Sequence, residues 1–303
     1  MGNEQQHRIF WNAGVRREKR RDLHPEKRIH TDEVWMDLEP LFSPGLRVLD
    51  AGGGCGRYSI LIAKKGCQVT HLDLSSGMLQ EARKQAEREG VRGITFGEGK
   101  VQDLSAFSDQ SFDVVLSLDA PVSYASPFHK KALQELCRVC QDKLAVSVVS
   151  RLGQLPVILR MEIQWRKSVE FSRHFFSSGQ WDHPGWMEST EKRMPFLSRF
   201  IFPPLHAFFP REIHDLVQEQ GFRVTQFSAT GSLARLLPRK VLQKVIREEI
   251  LYRDFLQLAR EYDAQFEVLG LGAQSASGLF ILAERNPHES DLDQTDHPSQ
   301  TGR

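Results

Sequence analysis

A glycine-rich segment, RVLDAGGGCGRYSILIAKKG at residues 47–66, constrains the fold more than any other part of the sequence. Gly52, Gly54 and Gly56 stand at every second position, where an apolar run ends and an amphipathic one begins. A loop that turns sharply and brings bare backbone against a ligand favours glycine, because a Cβ atom would clash. The helix that follows presents free N–H groups and the positive end of its dipole. The segment therefore predicts a strand, a ligand-binding turn and a helix.

The spacing of these glycines restricts the kind of ligand. A dinucleotide fingerprint is G-x-G-x-x-G, and its sixth position counted from Gly52 is Arg57, which breaks the pattern. A Walker phosphate loop is excluded because no G-K-[ST] ending follows. The run instead reads Asp-x-Gly-x-Gly-x-Gly from Asp50 to Gly56, and the next apolar run ends at Asp73. That distance is typical of a carboxylate that binds a ribose.

Short β-branched runs alternate with amphipathic helical patterns across residues 46–151, which is typical of a parallel sheet with crossover helices. A helix at 76–89 stops at Gly90, and helical patterns return from Pro210 and at about 233–265. The predicted strands are 47–50, 68–73, 94–96, 112–118, 144–150, 222–227 and 278–284.

Changes in composition divide the chain into five predicted segments. A polar helical lid covers residues 1–45, and an α/β core covers 46–151. Residues 152–210 hold 11 of the 28 aromatic side chains and predict a substrate cap inserted after the fifth strand. These rings either line a pocket or fill a small core of the cap itself. Residues 211–285 complete the α/β core, and 286–303 predict a disordered tail.

Residues 46–151 resemble the class I S-adenosylmethionine-dependent methyltransferases, in particular the small-molecule group that includes the quinone-ring methylases. The matching motifs are VLDAGGGCG, VTHLDLSSGMLQEAR, FGEGKVQDL, SFDVVLSLDAP and LAVSVVS. The later stretch HAFFPREIHDLVQEQGFRV resembles the last helix–strand unit of that group. The resemblance implies an α/β fold of Rossmann-like type: a doubly wound, mostly parallel, seven-stranded sheet with an inserted helical cap.

The same resemblance implies S-adenosyl-L-methionine as cofactor, with S-adenosyl-L-homocysteine as its product. It implies that Asp50 holds the glycine loop and favours the ammonium group of the cofactor, and that Asp73 binds the ribose. The other residues that it places at the cofactor are Gly52, Gly54 and Gly56 at the methionine end, Leu74, Val101 and Gln102 at the adenine, and Leu118 near the methionine moiety.

Two positions depart from the pattern of this family. Lys100 stands where an acidic residue that contacts the adenine amino group is usual, so Asp103 or a backbone carbonyl is expected to replace it. The usual Lys-Pro-Gly-Gly turn before the fifth strand is replaced by Gln141-Asp142-Lys143. The second departure changes a turn and not the chemistry.

Methyl transfer from a sulfonium is an in-line displacement, which depends on alignment and exclusion of water. A hydroxyl acceptor gains from a base, whereas an acidic phenol or a carboxylate needs none. The candidate catalytic residues are Asp119 and Tyr124, which follow the fourth strand, and His174 in the predicted cap. For the histidine, a surface or packing role is the alternative.

Two weaker signals have simpler interpretations. Cys137-x-x-Cys140 could suggest a zinc or redox pair, but no second ligand pair follows, and both cysteines lie on one apolar stripe. We therefore predict core packing and no bound metal. A basic run from Arg16 to Arg28 could grip phosphates, although three acidic residues interrupt it and fit a solvated helix face.

The favoured hypothesis is an enzyme that methylates a small aromatic or apolar molecule, at an oxygen in the first place, with a nitrogen or carbon atom as the alternatives. The aromatic cap and a formal net charge of +1 support it. The basic run keeps a tRNA-modifying methyltransferase as an alternative, and Lys100 keeps a cofactor-binding partner protein without methyl transfer.

The sequence predicts a protein of the reduced cytoplasm. No apolar run approaches the roughly 18–20 residues that span a membrane, and the first residues lack the apolar core of a signal peptide. Four cysteines in 303 residues form no disulfide framework. The sequence makes no prediction about the oligomeric state.

Overall fold

The computed structural model describes residues 3–181, 203–269 and 278–287. The strands within them are β1 (Arg47–Ala51), β2 (Gln68–Asp73), β3 (Ile94–Glu98), β4 (Phe112–Ser117), β5 (Cys140–Val149), β6 (Phe222–Thr230) and β7 (Gly278–Arg285). They form one sheet in the order β3-β2-β1-β4-β5-β7-β6. β1 to β5 pair in parallel, and β7 pairs antiparallel with both β5 and β6. The predicted mostly parallel, seven-stranded sheet is confirmed.

The helices lie between and around these strands. In chain order they are α1 (Asn3–Lys19), α2 (Pro25–Leu38), α3 (Arg57–Lys64), α4 (Ser76–Arg88), α5 (Pro121–Tyr124), α6 (His129–Val139), α7 (Arg151–Arg166), α8 (Glu170–Ser178), α9 (Pro210–Glu219), α10 (Ser232–Leu236), α11 (Arg239–Arg247) and α12 (Glu249–Leu269). None of the helices in the described part of the chain has the length and apolar character that a membrane span needs.

Alternate residues of the central strands face two separate cores, because side chains of a strand point to opposite faces. Leu49 and Val115 are buried on the face covered by α6 and α9, whereas Val48 and Val114 are buried on the face covered by α2 and α3. A sheet buried on both faces accounts for the near-continuous apolar runs of its strands. Because β1, β2 and β4 run parallel, their carboxyl ends lie at one edge of the sheet.

Several boundaries differ from the predicted ones, most clearly at β5 and in the helical stretch after β6. Helix α6 ends at Val139, and Cys140 is already the first residue of β5, which is longer than the predicted 144–150. Cys137 and Cys140 are both buried in the core, as predicted. The helical stretch expected at about 233–265 is divided into three helices, because Pro238 cannot continue a helix and Glu248 is extended.

Helices α1 and α2 bring the polar N-terminal residues to the carboxyl edge of the sheet. α1 packs against α4, and α2 packs against α11 and α12. In the region predicted as the cap, α7 and α8 pack against each other. Residues 182–202, and the predicted tail from 288 onward, lie outside the described residues. The five-segment division itself remains a prediction.

Candidate cofactor and acceptor site

A cavity of about 870 Å³ opens at the carboxyl edge of β1, β2 and β4, beneath α1 and α2. Ten of the twelve residues singled out in the sequence line it: Asp50, Gly52, Gly54, Asp73, Leu74, Val101, Gln102, Leu118, Asp119 and Tyr124. Gly56 and His174 are not among the lining residues. The topology thus brings together residues from four loops that are distant in sequence.

The three glycines have different local roles. A Cβ on Gly52 (φ +84°) would lie 2.4 Å from Cγ of Pro121, and one on Gly56 (φ +83°) would lie 3.0 Å from Cβ of Ala82. These two glycines therefore permit close packing of the loop. A Cβ on Gly54 (φ +57°) would meet no atom within 4 Å, because this residue faces the open cavity. The bare backbone at Gly54 fits a ligand that approaches closely.

Asp73 is fixed at the end of β2 by two backbone donors. The Gly54 N–H donates to Oδ2 at 2.9 Å, and the Ser75 N–H donates to Oδ1 at 2.8 Å. Burial raises the pKa of this carboxyl. Each oxygen of an ionised carboxylate can accept a further hydrogen bond, so the arrangement fits a ribose with two vicinal hydroxyls.

Asp50 supports the glycine loop from within the protein. Its Oδ2 accepts a hydrogen bond from Ser59 Oγ at 2.6 Å. Ser59 Oγ in turn lies 2.8 Å from Nδ1 of His71. Burial raises the pKa of Asp50 to about 6. A Cβ on Gly53 would lie 2.7 Å from Asp50 Oδ2, so the carboxylate packs directly beneath the loop backbone.

Helix α1 places a carboxylate, that of Glu4, beside Lys100. The sequence did not predict this contact. Nζ of Lys100 lies 2.5 Å from Oε2 of Glu4, and both residues line the cavity. The hydrogen bond from Lys100 is the main cause that lowers the pKa of Glu4. Asp103, the substitute expected from the sequence, also lines the cavity and accepts from Ser105 Oγ at 2.8 Å. Two carboxylates therefore lie in the cavity wall near Lys100, where the sequence predicts the adenine.

Two further side chains of α1 hold the helix over the same region. Nη1 of Arg8 donates to the Leu74 carbonyl at 3.2 Å. Oδ1 of Asn12 accepts from Ser75 Oγ at 2.7 Å and from the Gly77 N–H at 2.9 Å, at the start of α4. α1 is therefore a covering element of the cavity held by polar contacts.

Asp119 is ion-paired rather than free. Its carboxylate lies 2.7 Å from Nη1 of Arg21, 3.4 Å from Nε2 of His30 and 3.5 Å from Nη1 of Arg57. Burial alone would raise the pKa of Asp119, but these groups, Arg21 foremost, hold it well below its usual range. A carboxylate with so low a pKa is a weak proton acceptor. In this geometry Asp119 is engaged by basic residues, and its catalytic role remains a prediction.

Asp119 and Ala120 both adopt left-handed backbone conformations, with φ of +62° and +74°. Such conformations cost of order 1–3 kcal/mol for residues other than glycine and are frequent at ligand sites. Here they turn the chain out of β4 and carry Asp119 into the cavity.

Tyr124 contributes to an aromatic wall. Its ring packs edge-on against Trp11 at 5.1 Å and against His7 at 6.3 Å. Burial raises the pKa of the Tyr124 phenol, which therefore stays protonated. His174 lies on α8, with Nε2 3.4 Å from Ser178 Oγ, and the structure does not bring it to the cavity.

The described rings of the predicted cap pack mainly on each other. Trp181 lies edge-on to Phe171 at 5.3 Å and to Phe175 at 6.4 Å. They form a small core with Ile158 and Leu205. These rings therefore fill a core of the cap region itself, which is one of the two roles considered from the sequence. Three other aromatic residues of the segment lie wholly or partly outside the described residues: the side chain of Trp165 and the whole of Trp186 and Phe202.

A histidine cluster joins the cap region to α9. The rings of His129 and His206 stack at 3.9 Å with an interplanar angle of 1°. Nε2 of His206 lies 2.7 Å from Oε1 of Glu212, whose other oxygen lies 2.8 Å from Nη2 of Arg151. Parallel imidazoles direct their in-plane lone pairs side by side rather than to one point, so this arrangement is a packing contact and not a formed metal site.

The basic run at the N-terminus is not uniformly solvated. Arg21 and Lys27 both line the cavity. Lys27 is half-buried, and its Nζ has no hydrogen-bond or ion-pair partner among the described residues. Burial lowers the pKa of this ammonium, and the positive charge of Arg21 lowers it further. The charges of Asp119 and Glu26 act in the opposite direction, although neither carboxylate contacts Nζ. The cavity therefore contains a cation with no direct anionic partner among the described residues, which favours an anionic ligand group.

Comparisons with known proteins agree with this fold and site. A family model described as a methyltransferase domain matches residues 48–143. The tRNA 5-carboxymethoxyuridine methyltransferase of Escherichia coli K12 is 36% identical over 248 residues, which are 79% of this chain and 83% of that enzyme.

An uncharacterized protein of Mycobacterium tuberculosis H37Rv is 32% identical over 150 residues. The match covers 48% of this chain and 49% of that protein, so the chain spans about half the length of this relative.

Among solved structures, magnesium protoporphyrin IX methyltransferase from Synechocystis, crystallised with bound S-adenosylhomocysteine, superposes with a TM-score of 0.57. Its sequence identity is 15%, and the superposition covers 94% of this chain and all of that one, so it supports the fold alone. The matches to the family model and to the tRNA enzyme show that the chain belongs to the S-adenosylmethionine-dependent methyltransferases, and S-adenosylmethionine is its cofactor.

Proposed function

We propose that the protein transfers a methyl group from S-adenosylmethionine to a carboxylate oxygen of an acidic nucleoside in tRNA. The observation that carries this proposal is Lys27, a half-buried ammonium in the cavity wall with no anionic partner among the described residues. A carboxylate on the acceptor would supply that partner, and such a charge-assisted hydrogen bond contributes about 1.5–3 kcal/mol.

The roles proposed for the cofactor residues follow from their positions. Asp73 would accept the ribose hydroxyls, Glu4 or Asp103 the adenine amino group, and Gly54 would leave room for the methionine end. When bound, S-adenosylmethionine supplies an electrophilic methyl group on a sulfonium. Leu118 and Asp119 stand after β4, where the acceptor would meet that group.

The reaction needs no proton transfer when the acceptor is a carboxylate. A new bond forms between the carboxylate oxygen and the methyl carbon as the bond from that carbon to sulfur breaks, and the two opposite charges are both neutralised. No base is required, which agrees with an Asp119 engaged by Arg21. Lys27 would orient the carboxylate through its non-reacting oxygen, and the wall of Trp11 and Tyr124 would exclude water.

The tRNA part of the proposal is supported by the Escherichia coli relative, whose name gives 5-carboxymethoxyuridine in tRNA as its target. That nucleoside carries a carboxylate. Protein recognition of single-stranded RNA commonly uses bases stacked on aromatic side chains. Trp11 and Tyr124 provide such rings beside the cationic group.

A second candidate is the small aromatic or apolar acceptor predicted from the sequence. The feature that favours it is the same wall of Trp11 and Tyr124, extended by Phe128 at the cavity lining. A free aromatic acid would use the ring wall and Lys27 in the same way, without a nucleic acid.

A labelling experiment separates these candidates. The purified protein is incubated with methyl-labelled S-adenosylmethionine and either total tRNA from a strain lacking the gene or a small-molecule extract of that strain. We expect label in tRNA that mild alkali releases, as a methyl ester requires, and none with Asp73→Ala. Label confined to the small-molecule fraction would support the second candidate. Label in tRNA that resists alkali would contradict a carboxylate acceptor.

A further inference from the structure

We propose that α10 and α11 hold the phosphate backbone of the tRNA beside the cavity; this inference rests on the proposed function. The surface consists of five cationic side chains, called here the basic face: Arg235, Arg239, Lys240, Lys244 and Arg247.

The basic face is exposed and electrostatically uncompensated. All five side chains are exposed, and none has an ion pair or side-chain hydrogen bond within the described part of the chain. On α1, by contrast, Arg8, Arg17 and Lys19 are each paired with a glutamate. Because the whole chain has a formal net charge of only +1, five unpaired cations on two short helices form a strong local field.

The helical geometry of α11 directs its cations outward along one line. Lys240, Lys244 and Arg247 are spaced i, i+4 and i+7, so they form one stripe about 10 Å long at a rise of ~1.5 Å per residue. Leu242 and Val245 are buried on the opposite side. This burial fixes the rotation of the helix, and the cationic stripe cannot turn inward.

The helices that carry the basic face are connected to the proposed acceptor pocket through α2. Leu242 and Val245 share a hydrophobic core with Ile29 of α2, and α2 carries Lys27 into the cavity wall. Arg235 is near enough to Lys27 for its charge to lower the pKa of that ammonium, after burial and Arg21. A nucleoside held at Lys27 would thus place its flanking phosphates toward α10 and α11.

Phosphate contacts from arginine and lysine are the usual way in which a protein positions a nucleic acid. A protein partner is the other class that such a surface could take, since Val241 and Ile250 are exposed nearby. The cationic stripe, free of acidic side chains between Arg239 and Arg247, favours RNA. The two classes differ in salt dependence, because phosphate binding releases counterions.

The test compares two charge-removing double variants in the full chain. Lys240→Gln/Lys244→Gln alters the basic face. Lys84→Gln/Arg92→Gln removes two exposed, unpaired cations at the opposite edge of the sheet, in α4 and just before β3, and serves as the matched control. Affinity for an unmodified tRNA transcript is measured over a series of salt concentrations, and S-adenosylhomocysteine affinity reports on folding.

We expect the basic-face variant to bind tRNA at least tenfold more weakly than wild type. The slope of log affinity against log salt should become shallower by about 0.7–0.9 for each lost contact. S-adenosylhomocysteine binding and the control variant should be unchanged. If the slope and affinity do not change while wild type and variant both methylate tRNA, the basic face does not bind the tRNA phosphates. The proposed function then stands. If wild type neither binds nor methylates tRNA, the proposed function fails first. Should the double variant lose cofactor binding, Arg247→Gln alone decides, with a predicted slope change of about 0.7–0.9.

Discussion

Arg21 and Asp119 form a bidentate ion pair in the wall of the cavity. Nη1 of Arg21 lies 2.7 Å from Oδ2 of Asp119, and Nη2 donates to Oδ1 at 2.8 Å. The pair joins the segment between α1 and α2 to the residue that follows β4. Such fork geometry gives directional strength beyond that of a single charge contact.

Asp119→Asn should therefore reduce stability more than chemistry. Removal of one partner from a buried ion pair costs about 3–5 kcal/mol, and because Asp119 is about a quarter exposed, we expect about 2–3 kcal/mol in denaturant unfolding. The lowered pKa means that the pair stabilises the fold above the usual carboxyl range and is lost as pH falls through the folded pKa. Asp22→Asn, whose exposed carboxylate pairs with Arg57, is the control and should cost under about 1 kcal/mol. Lost turnover with unchanged stability in Asp119→Asn would instead indicate a general base.

Lys27→Met should impair recognition of the acceptor without affecting the cofactor. Loss of one charge-assisted hydrogen bond of about 1.5–3 kcal/mol corresponds to a fall of roughly 10- to 150-fold in kcat/KM. Calorimetry should show an unchanged affinity for S-adenosylhomocysteine. Lys131→Met removes an exposed cation from the lining of the same cavity and should have a small effect. Equal losses in the two variants would mean that only the general field of the cavity matters.

Asp73→Ala should abolish measurable binding of S-adenosylmethionine at concentrations where wild type binds in the micromolar range. The substitution removes the proposed ribose acceptor and also releases the Gly54 and Ser75 N–H groups. Asp73→Asn keeps the shape and should retain part of the affinity. Calorimetry measures both, and unchanged binding by Asp73→Ala would remove the ribose assignment.

Glu4→Gln tests which carboxylate takes the role of the acidic residue that is usual in this family at the position of Lys100. The Glu4–Lys100 pair is partly exposed, and pairs of this kind contribute about 0.2–1 kcal/mol. We expect a two- to fivefold weaker affinity for S-adenosylhomocysteine, with Asp103→Asn as the matched comparison in the same cavity. A larger loss in Asp103→Asn would assign the adenine contact to that residue, as first expected from the sequence.

Glu33 should make the protein less stable as pH rises. This side chain of α2 is buried, with no hydrogen-bond partner for either oxygen among the described residues, and burial raises its pKa to about 9. The unfolded chain releases this proton near pH 4.5, so the stabilising effect present at low pH is lost toward pH 9, by up to about 1.4 kcal/mol per pH unit.

Glu33→Gln removes that titration while it preserves the shape of the side chain. Thermal unfolding should show the variant a few degrees more stable than wild type at pH 8 and similar at pH 5. Glu39→Gln, a partly exposed glutamate just beyond α2 that pairs with Lys65, is the control. A gain that is equal at both pH values would contradict a buried neutral carboxyl.

Features with a local cause could be predicted from the sequence. β2 ends at Asp73 as expected, because the apolar run stops there. The glycines of the loop after β1 and the burial of Cys137 could likewise be predicted, from the pattern of turn residues and from the apolar spacing.

Features that depend on distant charged residues could not be predicted. Arg21 and Asp119 are far apart in sequence, and a polar helix with inward-facing charges has the same composition as a solvated one. α2 buries Glu33 and Thr31 beside Ile29, so its hydrophobic periodicity is weak. The acid at Lys100 comes from α1 for the same reason: only the packing of α1 on α4 brings Glu4 there.

The polar attachment of α1 also has a kinetic consequence. Glu4, His7 and Trp11 line the cavity, and Asn12 holds the helix at the start of α4. Contacts of α1 that retain the methyl donor would also retain the demethylated product. We therefore expect product inhibition and a turnover rate that depends on the opening of α1.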